Sequence, residues 1–157
     1  MYNILNENYM IKEKLFKNIL VVFYFTLLFF NNGFSQCKNF ARKSCIPKLT
    51  PFVFNGQLNN AILNEGDVAD LSLTFLGGQS YRIYVCYEEP LKNVEFSLVG
   101  NDEKIIFSNI ENNYINYWDF TTTSTQQLIV RVKVPKEKSI NDMTQTGCVS
   151  ILVGFKK

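Results

Sequence analysis

Histidine is absent from all 157 residues, and no two of the four cysteines have the Cys-x-x-Cys spacing. The first absence removes the side chain that most often serves as a general base near neutral pH. Neither a Ser-His-Asp nor a Cys-His arrangement can then be assembled. Together the two absences leave the cysteines without the ligand spacing of a structural zinc site. The chain also lacks an apolar run long enough to span a bilayer. Its longest, Ile19 to Phe30, is broken only by Thr26 and would rise about 18 Å as a helix, against a hydrocarbon core of roughly 30 Å. An excess of one charge is missing too. Sixteen Lys and Arg stand against fourteen Asp and Glu, which implies no nucleic-acid partner and no protein-wide attraction to an anionic membrane. No internal repeat or low-complexity tract is present.

The beginning of the chain has a clear pattern. Lys12, Lys14 and Lys17 precede the apolar run, and Gly33-Phe34-Ser35 follows it as a small-x-small site. A basic region, a short apolar region and small residues after it make a secretory signal peptide. Residues 1–35 are expected to be that peptide, the mature chain to begin at Gln36, and Met10 to be an alternative start. The expected location is secreted or periplasmic, with no membrane span after cleavage. Lipoprotein signals place Gly, Ala or Ser before the modified cysteine, whereas Gln36 precedes Cys37. Cys37 is therefore read as a disulfide partner rather than a lipid carrier.

All four cysteines, Cys37, Cys45, Cys86 and Cys148, follow the cleavage point, and an even count in an exported chain points to two bridges with three possible pairings. Sequence proximity favours Cys37 with Cys45, and strand character favours Cys86 with Cys148. The chain-entropy model then gives the long loop about 4 kcal/mol and the short one roughly 2.6 kcal/mol. Residues 36–50 form a disulfide-bearing N-terminal segment. Its Lys38, Arg42, Lys43 and Lys48 have no acidic residue among them, so Arg42 and Lys43 are a candidate partner surface beside the simpler reading of a solvated loop.

From Pro51 the apolar pattern has period two. Leu71, Leu73 and Phe75 alternate with polar neighbours, as do Tyr81, Ile83 and Val85, then Val94, Phe96 and Leu98, then Leu128, Val130, Val132 and Val134. "CVSILVGF" is apolar on both faces and reads as an interior strand. Turn signals separate these runs at Asn64–Asp67, Gly77-Gly78, Glu88–Pro90, Gly100–Asp102 and Asn112-Asn113, and 135–147 reads as the longest loop. No window after the signal segment presents a convincing amphipathic helix. The expected fold is an all-β antiparallel sandwich, jelly-roll or Ig-like, of about seven or eight strands over residues 51–157.

"LSLTFLGGQSYRIYVCYEEPLKNVEFSLVGNDEKIIF", "YWDFTTTSTQQLIVRVKVP" and "GCVSILVGF" together resemble the prepeptidase C-terminal modules of secreted bacterial proteins, over roughly residues 65–155. The chain departs from their pattern at Lys92-Asn93, where an acidic pair is usual, and at Leu128, where a tyrosine is usual. The same stretches resemble small exported proteins of Gram-negative bacteria. The resemblance implies a β-sandwich without catalytic activity.

Chemistry-bearing residues are sparse. Asp67, Asp70, Glu88, Glu89, Glu111 and Asp119 are the carboxylates from which a glycosidase-type pair would be drawn, but Asp67, Asp70, Glu88 and Glu89 fall in or beside turns, where a solvated charge is ordinary. Asn101, Asp102 and Glu103 offer oxygen atoms for calcium, yet Gly100–Asp102 is already accounted for as a hairpin turn. No cofactor or metal is expected. "NNYINYWDF", 112–120, is the most aromatic stretch. Strand alternation puts Tyr117 and Asp119 on one face and Trp118 and Phe120 on the other. Tyr117, Asp119 and Asn113 are therefore the candidate ligand residues for a glycan, while Trp118 reads as a core tryptophan. Tyr84 and Tyr87 extend this surface if their strand is its neighbour. The expected function is a non-catalytic binding or accessory module for carbohydrate or envelope polymer. The alternative is a protein-interaction component of the envelope.

Overall fold

A computed structural model describes residues 16–19, 33–136 and 144–156. Nearly all of the expected signal peptide, and residues 137–143 of the expected long loop, lie outside the described residues. Cys37–Lys157 is one compact unit and Met1–Gln36 another. No described helix is long and apolar enough to cross a membrane.

Among the described residues the second unit carries nine strands: β1 (Val53–Phe54), β2 (Asn59–Asn64), β3 (Val68–Phe75), β4 (Gln79–Tyr87), β5 (Glu95–Val99), β6 (Ile105–Ser108), β7 (Tyr117–Thr122), β8 (Gln126–Lys133) and β9 (Thr146–Lys156). One sheet runs β1-β9-β4-β7 with β2 also on β9, the other β3-β8-β5-β6, and every pairing is antiparallel. The pairs β2·β9, β3·β8, β4·β7 and β5·β6 are nested. The chain thus forms one long double ribbon, closed at β5–β6 and wrapped across two layers. That nesting selects the jelly roll over the Ig-like alternative. The ninth strand beyond the expected seven or eight is the two-residue β1.

The period-two residues face inward as expected. Phe75, Ile83, Phe96, Leu98, Val130, Val132 and Val153 are buried between the sheets. An aromatic column runs through this core: Phe107 stacks on Trp118 at 4.9 Å, Trp118 on Phe120 at 4.6 Å, and Phe120 meets Phe75 edge-on at 5.1 Å. Trp118 is therefore part of the packing between sheets. The outer face of the second sheet carries cross-strand charge, with Arg131 donating to Asp70 at 2.7 Å and Lys133 pairing with Glu95 at 3.1 Å. The Arg131 guanidinium holds the Asp70 carboxyl below its usual range, mainly through that hydrogen bond. Every buried side-chain nitrogen or oxygen among the described residues has a hydrogen-bond partner.

The N-terminal segment departs most from the sequence reading. It is helical: α1 (Gly33–Phe40) passes into a π turn, Ala41–Cys45, and a 3₁₀ turn, Ile46–Leu49. Cys37, Ala41, Cys45 and Leu49 are buried at a strict spacing of four. An α-helix has 3.6 residues per turn, so such a stripe would drift around it, and the wider π turn keeps the stripe on one side. It lies as a cap on the outer face of the first sheet, against Tyr84, Cys86 and Leu152. This is why β9 is apolar on both faces. Close approach needs Gly154, where an added Cβ would come within 2.7 Å of the Phe52 Cβ.

The disulfides correct the expected pairing: Cys37 bonds Cys148 and Cys45 bonds Cys86. Cys37 and Cys45 are eight residues apart on helical backbone, a separation of about 12 Å at 1.5 Å per residue, beyond reach of a bridge. Cys86 lies opposite Ser150, so Cys148 is its diagonal neighbour, at the roughly 7–8 Å of such pairs, also too far. Both strand cysteines face the cap instead. Each bond ties the cap to one of two adjacent strands.

Candidate functional site

The register of β4 on β7 places Arg82 opposite Asp119 and Tyr84 opposite Tyr117. The strands bearing the two tyrosine groups are therefore neighbours, but Tyr84 is buried under the cap and only Tyr117, 43 % exposed, presents a ring to solvent. Tyr87 is half-buried, and burial pushes its hydroxyl pKa up. Arg82 organises the face. Its Nε and Nη2 donate to the two oxygens of Asp119, each at 2.7 Å, and its Nη1 donates to the Thr50 carbonyl at 3.0 Å. The guanidinium lies 4.8 Å from the Phe52 ring centre and 4.6 Å from that of Tyr117. A planar cation between two rings with a bidentate carboxylate uses most of what an arginine offers, and lysine cannot reproduce it. Changing Arg82 to Ala is expected to cost about 1–2 kcal/mol, since the arginine is mostly buried, and Arg82→Lys to recover less than half. Thermal denaturation of the two variants checks this.

Tyr117 and Asp119 thus meet as expected, already engaged by a residue that the sequence did not single out. Asn113 lies elsewhere, at the C-terminal end of the 3₁₀ turn Ile110–Asn112, in the left-handed conformation with φ 53°. Of the other candidate carboxylates, Asp67, Asp70 and Glu88 have structural duties. Asp67 Oδ2 accepts from the Asn64 N–H at 2.8 Å, and Glu88 Oε2 accepts from that of Cys148 at 2.8 Å. Asp102 accepts from Lys104 in the β5–β6 hairpin, where Glu103 is left-handed. Among the described residues no group of three or more His, Cys, Asp or Glu is arranged to hold a metal. Arg42 and Lys43 are exposed on the cap's π turn.

A second surface lies at β6 and β7, the edge strands of the two sheets, where Phe107 of one stacks on Trp118 of the other. Their connection is fixed from below by Asn109, which is fully buried. Asn109 Oδ1 accepts from the Phe96 N–H at 2.8 Å, and Nδ2 donates to the carbonyls of Val94 at 3.0 Å and Ile115 at 3.2 Å. The Asn109 carbonyl in turn accepts from the N–H groups of Asn112 and Tyr114. The loop so held keeps two successive non-glycine residues, Asn113 and Tyr114, at positive φ, a costly conformation for a bulky side chain. It displays Ile110, Tyr114 and Ile115; also exposed are Ile105, at 66 %, and Ile106 on β6, and Tyr117 on β7.

On the opposite side, between β1 and β3, is a cleft of about 540 Å³ lined by Leu73, Phe75, Tyr81 and Phe155 with Asn55 and Gln57. It includes none of the candidate ligand, partner or carboxylate residues named from sequence.

No protein-family model and no curated protein matches this chain. Among solved structures it is similar to PliG of Aeromonas hydrophila, a periplasmic inhibitor of g-type lysozyme. The identity is 11 %, over 68 % of this chain and 89 % of that one, with a TM-score of 0.47. It is also similar to a de novo designed double-stranded β-helix, at 12 % identity over 64 % of this chain and 99 % of the other, with a TM-score of 0.30.

Sequence reasoning missed Arg82, Asn109 and the apolar margin. Neither Arg82 nor Asn109 carries a local signal, because each acquires its role through a partner on another strand. The cap did have one, the four-residue spacing of Cys37, Ala41, Cys45 and Leu49.

Proposed function

We propose that this is an exported, non-catalytic binding module whose partner is a protein, held at the margin formed by β6, the 109–115 loop and β7. The observation that carries the reading is the loop itself. A buried asparagine and strained backbone hold Ile110, Tyr114 and Ile115 out in water, where apolar side chains gain nothing for the fold. Rigid loops presenting aromatic and aliphatic anchors lose little entropy on binding. Export accords with the leader-like residues 1–35 and with two disulfides, which persist in oxidising compartments. The resemblance to prepeptidase C-terminal modules points the same way.

Recognition of a glycan through Tyr117, Asp119 and Asn113 is the second reading. In its favour Tyr117 remains 43 % exposed. Against it, both Asp119 oxygens already accept from Arg82.

One experiment separates the two. Binding to fractionated exported proteins and to envelope polysaccharide is compared for the parent, Tyr114→Gly with Ile110→Ser, and Tyr117→Ala. Glycine takes a positive φ without strain, so Tyr114→Gly is expected to leave stability unchanged or raise it by up to about 1 kcal/mol. The double variant should lose the protein partner more than tenfold. Retention of that partner by the double variant overturns the first reading; loss of polysaccharide only in Tyr117→Ala establishes the second.

A further inference from the structure

We propose that the helical cap, residues 36–50, is a docking face for a bilayer surface rich in anionic lipid headgroups. The cap turns one side to the sheet and the other to solvent, and on the solvent side Lys38, Arg42, Lys43 and Lys48 are all exposed. No acidic residue occurs between Glu13 and Glu65. Among the described residues the ion-paired carboxylates, Asp70, Glu95, Asp102 and Asp119, are held by Arg131, Lys133, Lys104 and Arg82 and not by the cap. The positive charge is therefore local, in a protein whose total is nearly balanced.

Lys38 and Arg42 stand four residues apart on helical backbone, so the cap sets like charges close together. Two disulfides hold this segment, and its charges, in one place on the sheet.

The shape favours a membrane over a compact ligand. The cations are spread along a helix and a turn rather than converging on a cleft, which suits a sheet of headgroups. Exposed Pro47 lies among them, whereas half-buried Phe40 and Ile46 pack against the cap's own core, so the face is chiefly a charged one. The face is separate from the β6–β7 margin and does not depend on a partner there.

Each Lys or Arg near an anionic surface strengthens partitioning about fivefold, within a screening length of about 10 Å at 0.1 M salt. The test is co-sedimentation of the exported, disulfide-bonded protein with vesicles of phosphatidylcholine alone or mixed with phosphatidylglycerol. Binding is expected only to the mixed vesicles, weakening steeply as salt rises. Arg42→Glu with Lys43→Glu should reduce it by more than a hundredfold with the melting temperature unchanged, since both side chains are exposed. Lys38→Glu with Lys48→Glu, a second and independent pair, should act likewise. Equal binding to both vesicle types, binding indifferent to both pairs of reversals, or no binding to the mixed vesicles overturns the proposal. Retention on soluble polyphosphate without vesicle binding also overturns it and assigns the face to a soluble polyanion.

Discussion

Replacing Cys37 and Cys148 together by serine is expected to destabilise the protein by about 4 kcal/mol and lower its melting temperature by roughly 15 °C. The bond closes a separation of 111 residues, and cross-linking so long a loop removes much of the freedom of the unfolded chain. Cys45–Cys86, with a separation of 41, is worth slightly less on the same chain-entropy model. The two differ in what their loss releases. Without Cys37–Cys148 the beginning of the cap detaches from β9 while Cys45 still holds its middle on β4. Without both, the apolar strip of Tyr84 and Leu152 is uncovered, and aggregation is expected beyond the stability loss itself. Single replacement of Cys37, followed by mass mapping of thiols, checks the connectivity. One free thiol at Cys148 is expected; a free thiol at Cys45 would mean that the N-terminal cysteines pair with each other.

Asn109→Ala is the second large effect, expected at about 3 kcal/mol and roughly 12 °C in melting temperature. The side chain satisfies three main-chain groups, on Phe96, Val94 and Ile115. Alanine leaves the buried Phe96 N–H without that acceptor and unties the loop from β5. Asn109→Asp should not rescue it, because a carboxylate keeps the bond from Phe96, loses both donations and buries a charge. Amide hydrogen exchange adds a reading that a general loss of packing would not give. Protection at Asn112 and Tyr114 should fall before that of the β4 and β9 core. A cost under about 1 kcal/mol would show that other contacts hold the loop, and the pre-organised binding surface would lose its basis.

The disulfides and Asn109 mark where the sequence was not legible; the strand faces mark where it was. The inward faces of β3, β4, β5 and β8 were readable because period-two alternation is local, and a half-buried strand imposes it directly. The β2–β3, β3–β4 and β5–β6 turns were readable because Gly, Asn and Asp report the backbone angles a turn requires. The N-terminal cap was not recognised as a helix, since its buried stripe has a spacing of four and two of its four members are cysteines. The disulfide partners were misassigned for a related reason. Nearness in sequence is not nearness in space here: helical backbone separates Cys37 from Cys45, and the sheet register sets Cys86 and Cys148 diagonally apart. Of the candidate ligand residues, the shared face of Tyr117 and Asp119 followed from alternation. Their engagement by Arg82 depended on a register between strands 37 residues apart.

By itself the sequence determined the all-β class, the inward face of most strands, the position of most turns, the participation of all four cysteines in bridges and the absence of histidine chemistry. Each of these follows from residue type or from spacing along one segment. The tertiary structure alone decided the nested jelly-roll order, the disulfide pairing, the Arg82 clamp, the burial of Asn109 and the exposure of the β6–β7 margin. All of these depend on which segments lie side by side, and that is set by the sum of long-range packing across two sheets rather than by any local run of residues.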